Sequence, residues 1–374
     1  MKFFRRNSCV PVVIGIIVLF FVALAYLLWS TGAGLLTGSL HSKKAESFFL
    51  DQQHYQQVMP DHPVVLPDDF AFHPSFQNEW WSFVANVEDE QGNRYGVHWN
   101  LMRLAHDDRK SVSWDHPQLY LAQVAISHKH QVWFDQKLAR GGIGQAGFQR
   151  EPFKLWIDNW SLNGKEANPF PGELNTNTDQ VSLQLGLALK QPIQLPGEQG
   201  YQHIEPSLSA ALYGFDVPQV AVAGKIRIKG QRKALRVHGV AWIGKRWGNN
   251  FVLESNRHWD WLVFHIQNGM TLTVTRFRQQ DQAPRFFGTI TSPQGESIAL
   301  TQDDMSMIPT LNTTTNGHLV PTQWHIKVPR YHINFTATAV NANMWFPYVV
   351  PYWEGPVNVS GSHNARGFMI LSGY

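Results

Sequence analysis

The fold class that the sequence predicts is an all-β body of two tandem domains preceded by one N-terminal transmembrane helix. Three observations predict it. A long uncharged apolar run lies near the N-terminus, period-two alternation begins after Asp61, and turn signals recur at short intervals.

The apolar run comes first. Lys2, Arg5 and Arg6 precede an uncharged stretch from Val10 to Trp29. About 20 residues at 1.5 Å each span a hydrocarbon core of roughly 30 Å. A cleavable signal has a shorter apolar stretch of roughly 7–15 residues. The basic cluster favours a cytoplasmic N-terminus, with Tyr26 and Trp29 near the far interface. Residues 1–30 are therefore expected to be a cytoplasmic tip and anchor in the cytoplasmic (inner) membrane, crossed once, with the body in the periplasm or otherwise outside. The alternative is secretion after cleavage within Ser30–Gly34. Residues 31–60 read as a tether.

The body is expected to comprise residues 61–230 and 231–374. Trp81, Phe83, Ala85 and Val87 alternate with Ser82, Val84, Asn86 and Glu88. A turn at Glu90–Asn93 follows, and Tyr95, Val97, Trp99 and Leu101 alternate again, which spells a hairpin. Val181 to Leu189 is the cleanest strand. Turn pairs stand at Asn163-Gly164, Asn268-Gly269, Gln294-Gly295 and Asn316-Gly317. Many short strands with regular turns mean a sandwich or a barrel. An approximate repeat links Glu79–Arg103 to His258–Arg278, each with an acid among tryptophans, two strands and a final Arg.

Composition narrows the function. Aromatics make up 13% of the chain, with 15 Trp and 23 Phe, which suits β-structure and apolar pockets. A net charge of +3 with scattered Lys and Arg argues against nucleic acid as a partner. The single cysteine, Cys9, cannot form a disulfide within one chain and reads as a small apolar residue at a helix end. There is no phosphate-binding loop, dinucleotide fingerprint, nucleophile elbow or zinc-protease motif, and neither a cofactor nor a metal is expected.

Four motifs carry a resemblance. "NEWWSFVANVEDEQGNRYGVHWNLMR", "VHGVAWIGKRWG", "HWDWLVFHIQNG" and "YWEGPVNVSGSHNARGFMILSGY" appear in order, and together they resemble the AttH / carotenoid 1,2-hydratase-like family. The resemblance implies two lipocalin-like β-barrel domains over roughly residues 60–374. It also implies a hydrophobic small molecule or lipid as ligand, a membrane transport system as partner, and relatives labelled hydratases or secreted hydrolases. Three family acids are replaced here. Where the family carries Asp-x-Glu-Trp, this chain has Gly244, Lys245, Arg246 and Trp247, and a C-terminal Glu is Ile370.

The candidate catalytic residues are Glu79 and Asp260. A carboxylate walled by indoles is desolvated, which suits proton donation. The competing reading pairs Glu79 with Arg103, and Asp260 with Arg276 or Arg278, as structural ion pairs. Trp80, Trp81, Arg103, Trp242, Trp261, Tyr352, Trp353 and Glu354 are the candidate ligand-binding residues. His128 and His130 share one strand face as half a metal site, although two exposed imidazoles are the plainer reading. His238 and His258 stand near the altered segment. The expected function is a membrane-anchored, periplasm-facing lipocalin-like protein binding a hydrophobic or amphiphilic molecule. The alternative is a cofactor-independent hydratase, isomerase, cyclase or hydrolase that protonates a hydrophobic substrate.

Overall fold

The computed structural model describes residues 55–105, 118–204, 211–249 and 257–374. The expected transmembrane helix, and the tether up to residue 54, lie outside the described residues. No helix among the described residues is long and apolar enough to cross a membrane. The rest of the tether is docked rather than free. Val58 enters the core, and Met59 exchanges hydrogen bonds of 2.8 and 2.6 Å with the Tyr213 hydroxyl.

The body is all-β, in two antiparallel sheets. The first contains β1 (Asn78–Asp89), β2 (Arg94–Ala105), β3 (Gln118–His128), β4 (Gln131–Arg140), β5 (Ala146–Gln149), β6 (Lys154–Ile157), β7 (Trp160–Lys165), β8 (Asn168–Asn177), β9 (Val181–Leu189), β10 (Tyr201–His203), β11 (Ala211–Ile228) and β12 (Leu235–Gly248). Its order is β4-β3-β2-β1-β12-β11-β9-β8-β7-β6-β5, with β10 beside β11. It curls until β3 and β4 at one edge meet β6 at the other, making a nearly closed barrel.

The second contains β13 (Arg257–Ile266), β14 (Thr271–Gln279), β15 (Arg285–Thr291), β16 (Ser297–Leu300), β17 (Ser306–Thr315), β18 (His318–Val328), β19 (Ile333–Ala339), β20 (Trp345–Phe346), β21 (Tyr352–Gly361) and β22 (Ala365–Ser372). Its order is β16-β15-β14-β13-β22-β21-β19-β18-β17, with β20 beside β21. It forms a half-barrel, not a closed one. The domain boundary moves as well. β12, expected after a break at 230, pairs along its length with β1 and β11, so the first sheet runs to Gly248.

Side-chain parity decides what goes where. In β1 the odd positions Glu79, Trp81, Phe83, Ala85 and Val87 point into the first barrel, whose apolar members are nearly all withdrawn from water. Burying a large apolar side chain contributes about 1.5–3 kcal/mol. The even positions Trp80, Ser82 and Val84 point outward, against the second sheet. β13 repeats the logic, with Asp260, Leu262, Phe264 and Ile266 inward and Trp259, Trp261 and Val263 outward. The two sheets thus meet through their outer faces, and the seam is itself a small apolar core of Val84, Trp242, Val263 and Phe368.

One irregularity shapes that seam. The register of β11 slips between Val217 and Val220. Pro218 has no N–H to give the ladder, so the strand bulges there. Before the bulge the inward positions are Tyr213, Phe215 and Val217; after it they are Val220 and Val222. Asp216 ends the outward series on the cavity side.

Candidate functional site

Two predicted acids lie inside the barrels. Glu79 is fully buried and sits opposite Arg103 on β2. Its carboxylate meets Lys245 Nζ at 2.8 Å, Arg103 Nε at 3.2 Å, His73 Nδ1 at 2.9 Å and the His73 backbone N–H at 2.7 Å. Burial alone would raise its pKa, but Lys245, His73 and Arg103 outweigh that and hold the carboxyl far below the usual carboxylate range. Arg103 and Lys245 also donate to carbonyls of residues 69–76, which strap the barrel end: Arg103 Nη2 to His73 and Phe76, Lys245 Nζ to Asp69 and Ala71. These partners favour the ionised carboxylate, and the geometry is that of the ion-pair reading.

Asp260 has the same design in the second sheet. It sits opposite Arg276 in register. Arg276 Nε donates to it at 2.6 Å, Arg278 Nε at 3.1 Å and the Tyr374 hydroxyl at 2.7 Å. Arg276 lies over Trp324 and Arg278 over Tyr374, with centroid distances of 4.7 and 4.3 Å. Both acids therefore follow the ion-pair reading, and Trp81, Arg103 and Trp353 are interior residues with them.

The cavity lies elsewhere, in the seam. It holds about 180 Å³ and is walled by Trp80, Trp242, Trp259, Trp261, Phe277 and Phe287. Tyr352 and Met102 also line it, as do Asn100 and His98. Of the predicted ligand-binding residues, Trp80, Trp242, Trp261 and Tyr352 are brought together here. Trp242 and Trp261, from opposite sheets, approach to 4.6 Å between centroids.

The departures from the family motif map onto this wall. Arg246 and Ile370 line the cavity. Gly244 lies under the Trp242 indole, and a Cβ at residue 244 would stand 2.2 Å from its ring edge. Adjacent residues of β12 divide the work, since Lys245 points into the barrel and Arg246 points out to the cavity. Arg246 Nη2 pairs with Asp216 Oδ1 at 2.7 Å and its Nη1 donates to Phe215 O at 2.8 Å. Burial pushes the Asp216 carboxyl up, and Arg246 offsets this only in part. Asp216 faces Gly244 directly across the β11–β12 pair.

A second polar group sits beside the cavity. Glu354 is fully buried, with its Oε2 against His98 Nδ1 on β2. Tyr352 donates to Gln123 Oε1, and burial, aided by Glu354, raises its hydroxyl well above the ordinary value. Glu354 Oε1, His98 Nε2, Asn100 Oδ1 and Gln123 Nε2 make no hydrogen bond. In the sequence His98 passes for an ordinary strand residue, and Asp216 for one of many scattered acids. Only the β1 parity hinted that even positions share a face, and no local pattern indicates which face meets the second sheet.

The histidine candidates take plain roles. His128 bonds Arg94 O at 2.9 Å and stacks on Tyr95, while His238 is exposed beside Glu88. No group of three potential metal ligands occurs among the described residues.

A family profile described as AttH-like matches residues 57–374. The chain belongs to the AttH-like family. A Nitrosomonas europaea protein assigned to AttH shares the fold at a TM-score of 0.76 and 24% identity, over 85% of this chain and 99% of its own. Kievitone hydratase from Nectria haematococca aligns at 0.59 and 14%, over 85% and 95%. CghA, solved with Sch210972, aligns at 0.51 and 11%, over 85% and 96%. Among curated proteins none matches the chain. These likenesses establish the two-sheet AttH fold.

Proposed function

We propose that this AttH-like protein binds a hydrophobic or amphiphilic small molecule in the seam cavity, and that its N-terminal apolar run holds the site at the periplasmic face of the inner membrane. The observation that carries the reading is the aromatic wall around a partly open cavity between two sheets. A cavity so placed receives what the bilayer dissolves, and a transport system is a natural recipient. The test is extraction of the purified full chain, with mass spectrometry of what is released. One apolar molecule per chain is expected from the wild type and none from Gly244→Leu, whose side chain drives the Trp242 indole into the cavity. An empty wild type, or equal recovery from both, sinks the reading.

Asp216 favours a second reading, acid catalysis without a cofactor. A buried carboxyl whose proton affinity is raised by desolvation, beside indole faces, suits protonation of an alkene. The proton passes from Asp216 to carbon, water captures the cation, and the proton that water then loses restores the acid. A hydratase and CghA among the structural neighbours share only the fold. In D2O the wild type should place deuterium on carbon of the co-extracted molecule and Asp216→Asn should not. Equal incorporation by both removes Asp216 as the acid.

A further inference from the structure

The apolar wall of the cavity does not stop at the seam. On the outer face of the first sheet, Trp80, Met102, Leu121 and Leu138 form one register row across β1, β2, β3 and β4. Trp80 and Met102 line the cavity. Met102 and Leu121 are buried, with Trp80 and Val350 packed against them. Leu138, on the edge strand, is 58% exposed. The row therefore runs without a polar break from the cavity to the surface.

Where it surfaces, the second sheet adds to it. The segment between β20 and β21 lies against β4, and the Val349 N–H donates to Gln136 Oε1 at 3.0 Å. That bond sets Val349 beside the two neighbours of Gln136 on the same strand face, Phe134 and Leu138. Val349 is 56% exposed and Phe134 47%. Phe134 also packs against Phe346 and Tyr348, with centroids at 5.1 and 5.9 Å. The outward positions of β4 from Val132 to Leu138 carry no charge. Large apolar side chains left half in water by two sheets at one place mark an interaction surface.

The rest of the chain says what covers it. The Gln56 N–H donates to Ser75 O, and Asn249 links Gln56 O to the Gln77 N–H. The described chain thus begins beside the start of β1, at the end of the strand that carries Trp80 and its row. The turn at the other end of β1 lies about 36 Å away. Residues 30–54 are all that separates the uncharged run Val10–Trp29 from Tyr55. If that run is an anchor, the end of the body nearest to it faces lipid.

We infer that Phe134, Leu138 and Val349 form a bilayer-docking surface, and that the apolar row leads from the lipid to the cavity. The inference rests on the proposed anchoring and gives the anchored body an orientation.

Site-directed fluorescence on the full chain tests this. Cys9→Ser removes the single cysteine, and Leu138→Cys, Val349→Cys or Gln91→Cys then takes one environment-sensitive dye. Gln91, in the turn at the far end of β1, is the control. The proteins are placed in vesicles of phosphatidylethanolamine and phosphatidylglycerol, with and without nitroxide-labelled acyl chains. Dyes at residues 138 and 349 should be quenched at least about twofold more than the dye at residue 91. Equal quenching at all three overturns the inference. So does a blue shift at 138 and 349 without quenching, because protein and not lipid then covers the patch. Carbonate extraction separates this inference from the anchoring beneath it. A chain that stays in the membrane with equal quenching removes the docking surface alone. A chain that carbonate releases removes the anchor, and the inference with it.

Discussion

Buried acids within the barrels and buried acids at the seam are built to different rules. Glu79 and Asp260 are saturated. Each faces an arginine in register, has a second cation within reach and collects further donors. At the seam, Asp216 has one arginine and a raised pKa, and Glu354 has one imidazole and an oxygen without a hydrogen bond. A saturated acid holds strands together; an under-satisfied one leaves hydrogen-bonding capacity unused. In this molecule, aromatic neighbours do not tell the two apart, because all four acids have them.

The largest effect that would break this comparison comes from Glu79→Gln. It leaves Lys245 and Arg103 buried without a counter-charge, and a loss of about 3–5 kcal/mol is expected in denaturant unfolding. A loss below 1 kcal/mol would contradict a structural role on the scale of such pairs. The pH dependence has a fixed sign. The Glu79 pKa is depressed on folding, so its stabilisation is complete above the ordinary value of 4.5 and erodes as pH falls below it. Acid unfolding of the wild type, flattened in the variant, checks this.

Asp260→Asn should cost less, about 2–3 kcal/mol by the same assay, because Arg276 and Arg278 are partly exposed and water can solvate them. Gly244→Leu should cost about 1–3 kcal/mol, as the displaced indole overpacks the seam. Its unfolding midpoint shift, set beside its ligand recovery, separates a blocked cavity from a broken fold.

Asp216→Asn is the smallest in stability, about 1 kcal/mol, since Arg246 keeps its two carbonyl bonds. Here the sign is opposite. A raised pKa contributes stability below the ordinary 3.8 that is lost as pH rises through the folded value. The variant should therefore gain on the wild type with rising pH. A gap that widens the other way would place Asp216 with the saturated acids.

Much of the fold was legible in the chain. The alternation of Trp81 to Val87, the turn at Glu90–Asn93 and the strand Val181–Leu189 reappear as β1, the β1–β2 turn and β9. Gly92 takes φ +78°, and Asp89 accepts the Gln91 and Asn93 N–H groups, so that turn is specified locally. The partners of Glu79 and Asp260 were legible too, because a two-strand register places Arg103 and Arg276 directly across. The motif departures pointed to the right wall through Arg246 and Ile370. They could not reveal Asp216, which reaches that wall from the neighbouring strand.

By itself, then, the sequence determined the strands, their inward and outward faces and the local ion pairs, because period-two alternation and hairpin register act over a few residues. Tertiary structure decided three other things: that β12 joins the first sheet, that the second sheet stays half-open, and that two outward faces close on a cavity. Those outcomes bring together residues more than a hundred positions apart, such as His98 with Glu354. The contacts follow from how two curved sheets pack, and no local pattern in the chain encodes that.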